Sequence, residues 1–111
     1  MESGYMKIAE KSEIPVGKMK KFVTLGKEIL IANVNGSFYA IGNMCTHSGG
    51  ELSQGTLEGN IVTCPKHKAK FDVTTGKVVS PPKMGLFHPK IQDAQSYVVK
   101  IENEDIFTKI Q

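Results

Sequence analysis

The sequence predicts an antiparallel all-β domain, arranged as a sandwich or as small barrels. Two observations carry this. Apolar residues fall into about eight or nine short runs separated by turn residues, the pattern of a many-stranded β domain. The composition agrees: eleven Gly, five Pro and no Trp among 111 residues favour turns and short strands over long helices. Met19 to Leu25 is a first clear strand, ended by Gly26-Lys27. Glu28 to Val34 follows, and Asn35-Gly36 is a turn of the kind that requires positive φ twice. Ser37 to Ile41 returns. Met44 to Leu57, rich in Gly and Ser, reads as a loop. Glu58-Gly59-Asn60 turns the chain into Ile61-Val62-Thr63. Ala69 to Val73, a Thr75-Gly76 turn and Lys77 to Val79 make another hairpin, stopped by Ser80-Pro81-Pro82. Met84 to Gln95 has no clear periodicity. Tyr97 to Ile101 and Ile106 to Ile110 form a last hairpin around Glu102 to Asp105.

Size and charge narrow the function. A chain of 111 residues is a single domain, 1–111, because a second core would have almost nothing to bury. It has room for a binding or electron-carrying module. It has none for a large substrate-binding domain. All fourteen basic residues are Lys, against eleven acids. Specific base reading and bidentate phosphate clamping lean on Arg, so no nucleic-acid partner is expected. The charge is uneven: Ile61 to Lys90 holds six Lys and only Asp72 as an acid, a local +5, and the remainder is mildly acidic. That points to a docking face, with a merely solvated face as the plain alternative. Lys66, Lys68 and Lys70, at alternate positions, would share one side of a strand.

The N-terminus, Met1 to Met6, has no basic region followed by an apolar run, and Ile29-Leu30-Ile31-Ala32 is too short to span a bilayer. A cytoplasmic protein without a membrane partner is expected. In that setting Cys45 and Cys64 are reduced or metal-bound rather than paired.

Two loops carry the chemistry. The first holds Cys45-Thr46-His47 and the second Cys64-Pro65-Lys66-His67. Each follows a strand and supplies one thiol and one imidazole. Structural zinc sites place paired ligands about two to four residues apart. One intervening residue between Cys45 and His47 strains a chelate to a single ion. The spacing suits two metals, a short Cys on an inner iron and a longer His on an outer iron, with the second loop doing the same from the other side. That is a 2Fe–2S cluster held by two thiolates and two imidazoles. Other readings stand beside it: two buried thiols with two surface His, a zinc ion in the same ligands, or a catalytic pair of Cys64 and His67. The catalytic pair leaves Cys45 and His47 without a role. His88, beside Pro89, reads as a surface or packing residue. Gly49, Gly50, Gly55 and Gly59 read as loop residues needing unusual backbone angles, and secondarily as letting backbone N–H groups approach the cluster sulfurs.

These residues resemble the Rieske-type ferredoxins. The match is C-x-H, sixteen residues, then C-x-x-H. It continues through Lys70-Phe71-Asp72, Thr75-Gly76 and Ser80-Pro81-Pro82, with Glu13-Ile14-Pro15-x-Gly17 and Tyr39-Ala40-Ile41 ahead of the first loop. The resemblance implies three small antiparallel sheets, with one 2Fe–2S cluster on Cys45, His47, Cys64 and His67 at one tip and the Pro81-Pro82 loop covering it. There are departures. Lys68 stands where many members have Gly. Gly50 and Lys66 stand where the respiratory and photosynthetic branch has a pair of disulfide-forming Cys. Ala69 and Phe71 stand where that branch has Ser and Tyr hydroxyls near the sulfurs. These place the chain with the soluble, low-potential branch.

The resemblance implies a one-electron carrier and no enzyme: electrons pass from an NAD(P)H-dependent reductase to an oxygenase or other acceptor. Docking is expected near His47, His67, Lys66 and Lys68. The alternative is a small subunit of a larger reductase or oxygenase complex using the same fold. An oxygenase active site would need a second iron site with two His and a carboxylate, and only His88 remains.

Overall fold

The structure is a computed structural model that describes residues 4–46, 50–66, 68–82 and 90–110. His47, Gly49, His67, His88 and residues 84–89 of the Met84 to Gln95 stretch lie outside the described residues. Eleven strands are described: β1 Tyr5–Glu10, β2 Met19–Thr24, β3 Lys27–Val34, β4 Ser37–Gly42, β5 Thr56–Glu58, β6 Ile61–Thr63, β7 Lys70–Asp72, β8 Val78–Ser80, β9 Ser96–Tyr97, β10 Val99–Glu102 and β11 Asp105–Lys109. They form three antiparallel sheets, ordered β1-β11-β10, β2-β3-β4-β9 and β5-β6-β7-β8. Three sheets, not a two-sheet sandwich or closed barrels, is what the resemblance implies.

The central sheet explains the arrangement. Glu28 to Val34 includes a continuous apolar run, Ile29 to Ala32, and a continuous run suits a strand buried on both faces. Leu30 and Ala32 face one core with Ile41, Leu52, Val62, Phe71 and Val73. Ile29 and Ile31 face the other, with Ala9, Ile14, Ala40, Ile106 and Ile110. The β2-β3-β4-β9 sheet is thus the middle layer, with the β5–β8 sheet on one side and the β1-β11-β10 sheet on the other.

The turns follow their residues. Asn35 and Gly36 have φ of +54° and +92°, the double positive φ of a two-residue hairpin. Leu25 and Gly26 do the same at +50° and +74°, so Leu25 belongs to the turn rather than to the strand it was expected to end.

Three sequence expectations need correction. The strand β1 was missed: of its apolar residues only Ala9 is fully buried, and a register shift between Lys7 and Ala9 breaks its alternation. Thr56 and Leu57 lie in β5 rather than in a loop. Lys66, Lys68 and Lys70 do not share a strand face, because β7 begins at Lys70 and Lys68 has a left-handed φ of +63°.

Candidate metal centre

The first loop leaves β4 and is closed at its base by Asn43. This side chain is fully buried and every polar atom on it is used. Its amide nitrogen donates to Glu28 Oε1 and to Glu51 Oε1, both at 3.3 Å. Its Oδ1 accepts the Ser53 N–H at 2.9 Å. Its backbone joins in: Asn43 N–H donates to the Glu28 carbonyl at 3.0 Å, and its own carbonyl accepts Leu52 N–H at 2.7 Å. Met44 and Glu51 then form an antiparallel bridge, and Cys45 N–H donates to the Gly50 carbonyl at 2.6 Å. The two ends of this loop, residues 43–45 and 50–52, are therefore pinned to each other rung by rung. Its outward wall is tied to a distant segment by Thr46 Oγ1, which donates to the Gln92 carbonyl at 2.5 Å.

The second loop is tighter. Cys64 N–H donates to the Ala69 carbonyl at 2.8 Å, and Lys68 N–H to the Cys64 carbonyl at 3.2 Å. Closing so short a loop takes a left-handed residue, and Lys68 supplies it at a conformational cost. This gives a reason for the Gly that the resemblance expects there.

The two loops bring Cys45 and Cys64 into one buried cluster with Leu52, Val62, Ala69 and Phe71. The thiols are 3% and 1% exposed, and neither is in a disulfide. Glycines set how closely the loops approach. A Cβ on Gly50 would sit 3.3 Å from Cys64 Sγ. One on Gly55 would collide with the Thr63 carbonyl and meet Pro65 Cδ at 3.2 Å. Neither glycine has a left-handed φ. The expectation of unusual backbone angles holds for Gly59, at +59°, whereas Gly50 and Gly55 are required by close approach.

This donor set fits an iron–sulfur group. Two soft thiolate donors on separate loops are held in a dry, apolar cradle, the environment in which Cys ligates such clusters. Among the described residues no group of three or more His, Cys, Asp or Glu is placed to hold a metal ion; His47 and His67 lie outside them. Sequence reasoning missed Asn43, Glu51 and the contact between Lys66 and Gly50. An Asn after Gly42 reads as a turn residue, and a contact across two loops leaves no local signal.

The third sheet is fastened by residues 91–95. Ala94 N–H donates to the Gly76 carbonyl at 2.7 Å, Val78 N–H to Asp93 Oδ1 at 2.8 Å, and Gly42 N–H to the Gln95 carbonyl at 2.8 Å. Gly76 has φ +82°, and a Cβ there would run into the Ala94 carbonyl.

Comparisons with known proteins agree with this geometry. Residues 4–100 match the family profile described as the Rieske [2Fe-2S] domain. A Ralstonia protein described as the ferredoxin component of naphthalene 1,2-dioxygenase/salicylate 5-hydroxylase systems is 37% identical over 111 residues, covering 100% of both chains. The ferredoxin component of a Pseudomonas putida naphthalene 1,2-dioxygenase system is 40% identical over 92 residues, 83% of this chain and 82% of that one. Among solved structures, the ferredoxin of carbazole 1,9a-dioxygenase from Nocardioides aromaticivorans IC177 superposes with a TM-score of 0.82 at 25% identity, covering 98% of this chain and 100% of that one. The chain belongs to the Rieske [2Fe-2S] domain family, and its cofactor is a [2Fe-2S] cluster.

Proposed function

We propose that the protein is a ferredoxin that carries single electrons to an oxygenase, with Cys45, His47, Cys64 and His67 as the cluster ligands. The observation that carries the ligand assignment is the burial of Cys45 and Cys64 in one core cluster, on two loops whose necks are locked by backbone hydrogen bonds. When bound, the cluster supplies a one-electron couple. The chain's part is to keep that couple in a fixed, water-poor setting. Phe71, Leu52 and Val62 exclude water from the sulfur side. Asn43 and the Cys45–Gly50 rung hold the first loop in shape, so little has to reorganise when charge changes.

The partner follows from the relatives. Similar chains are the ferredoxin components of dioxygenase systems, and a structure of similar fold, at 24% identity, is described as a complex of reduced oxygenase and oxidized ferredoxin. In this reading the protein takes its electrons from an NAD(P)H-dependent reductase and passes them to the terminal oxygenase. Exposed Lys66 and Lys68, with His47 and His67, make the docking surface. The protein acts as one domain over 1–111, supported by the central sheet that lines both cores. It works in the cytoplasm; among the described residues no helix is long and apolar enough to cross a membrane.

The test is iron and sulfide analysis of the purified chain with electron paramagnetic resonance after reduction. About two irons and two sulfides per chain are expected, and Cys64→Ser should lose both. One zinc per chain and no sulfide would end the assignment.

A further inference from the structure

The two ligand loops meet along a seam formed by Gly50 and Lys66. Gly50 is buried, and its φ lies outside the left-handed region, so no backbone conformation calls for glycine there. Space does. A Cβ on Gly50 would lie 3.3 Å from Cys64 Sγ and also 3.3 Å from Cγ and from Cδ of Lys66. The Gly50 carbonyl receives the Cys45 N–H at 2.6 Å. One residue of the first loop is thus bonded to the first cysteine and stacked on the sulfur of the second. Lys66 is exposed as a residue, yet its methylenes lie in this seam. Long basic side chains cover apolar surface in this way while their charged end stays in water.

We propose that the methylene stem of Lys66, seated on Gly50, is a positioning element that braces the two ligand loops and keeps water from the Cys64 sulfur. The ammonium plays no part in the brace. This rests on the assignment of Cys45 and Cys64 as ligands. It gives Lys66 a role separate from docking: a charge serving a partner acts at long range, whereas a brace acts through contact with Gly50 alone.

The experiment uses the cluster-loaded protein and two readouts, the rate at which the visible bands fade in excess chelator and the g-values of the reduced state. Lys66→Met keeps the stem and removes the charge. Its fading rate should stay within about twofold of wild type with unchanged g-values. Lys66→Ala removes the stem and should fade about tenfold faster, equivalent to about 1.4 kcal/mol, with shifted g-values. Gly50→Ala should fade faster as well, and adding Lys66→Ala to it should accelerate fading by less than it does in wild type, because the seam is already open. Lys66→Ala indistinguishable from wild type, or Lys66→Met fading as fast as Lys66→Ala, overturns the proposal. A wild-type protein that binds no iron or sulfide is a different failure, that of the ligand assignment itself.

Discussion

Asn43 and Glu51 face each other across the neck of the loop that carries Cys45, the buried amide donating to the carboxylate at 3.3 Å. The same Glu51 oxygen holds the Lys21 ammonium of β2 at 2.8 Å. A buried amide, an acid at the loop exit and a base on the neighbouring strand form one chain of contacts. The neck of the Cys45 loop is therefore tied to a residue on β2, outside the loop itself.

Asn43→Ala should destabilise the fold by about 2–3 kcal/mol, because it leaves the part-buried Ser53 N–H without its acceptor and opens a void where the fully buried amide sat. Urea unfolding reads the change. A loss under about 0.5 kcal/mol, the size of an ordinary surface substitution, would show that the loop neck does not depend on this side chain.

The Lys21–Glu51 pair should act only within a pH window. The hydrogen bond from Lys21 lowers the Glu51 pKa from its ordinary value, and the same bond raises that of Lys21. A lowered carboxylate contributes stability above its unfolded pKa and loses it as pH falls through the folded one. A raised ammonium contributes below its unfolded pKa and loses it as pH rises through the folded one. Wild type should therefore exceed Glu51→Gln in stability at neutral pH, with the difference vanishing in acid. Both side chains are partly exposed, so the difference should also shrink with added salt. Thermal melts at neutral and acid pH, in low and high salt, check this. A difference that persists below the carboxylate range would assign the effect to packing.

Lys68→Gly should stabilise the protein by about 0.5 kcal/mol. The left-handed conformation costs a residue with a Cβ about 1–2 kcal/mol, and glycine's looser unfolded chain returns about 0.5–1 kcal/mol of that. Lys68→Ala keeps the Cβ and should show no such gain. If Gly and Ala melt at the same temperature, the positive φ at 68 carries no strain.

The reduction potential should lie toward the low end of the ~ −150 to +300 mV range of such centres. Ala69 and Phe71, 1% and 0% exposed in the same core as both cysteines, have no hydroxyl with which to stabilise an added electron. Ala69→Ser and Phe71→Tyr should each raise the potential, most clearly together, as measured by voltammetry. An unchanged potential in the double variant, with the cluster intact, would contradict this origin.

The legible parts of the fold were those in which one residue dictates its own geometry. Asn35-Gly36 announces a hairpin because few other pairs adopt positive φ twice, and the β3 and β4 ladders follow from it. The pairing of the two cysteine loops was signalled by their spacing, and the structure brings Cys45 and Cys64 into one buried cluster. The illegible parts depend on partners far along the chain. Nothing near Tyr5 or Ala9 says that β1 will pair with β11 across a bulge. Thr56 and Leu57 look like loop until β6 is beside them. Lys66, Lys68 and Lys70 have the period of a strand, but the left-handed turn at Lys68 is dictated by closing the loop from Cys64 to Ala69.

The β5-β6-β7-β8 sheet is a meander from Thr56 to Ser80, inserted between β4 and β9 of the central sheet. Every pairing within it joins sequence neighbours, and residues 91–95 latch it to the rest. Such a unit can open and reclose while the β2–β3 and β3–β4 ladders stay formed. In hydrogen exchange it should behave as a foldon of its own. The amides of Val62 and Phe71 would exchange through partial opening, ahead of those of Leu30 and Ile31. Metal delivery should then need only this partial opening, and a chain that has lost its cluster should keep a folded central sheet to which the meander can return.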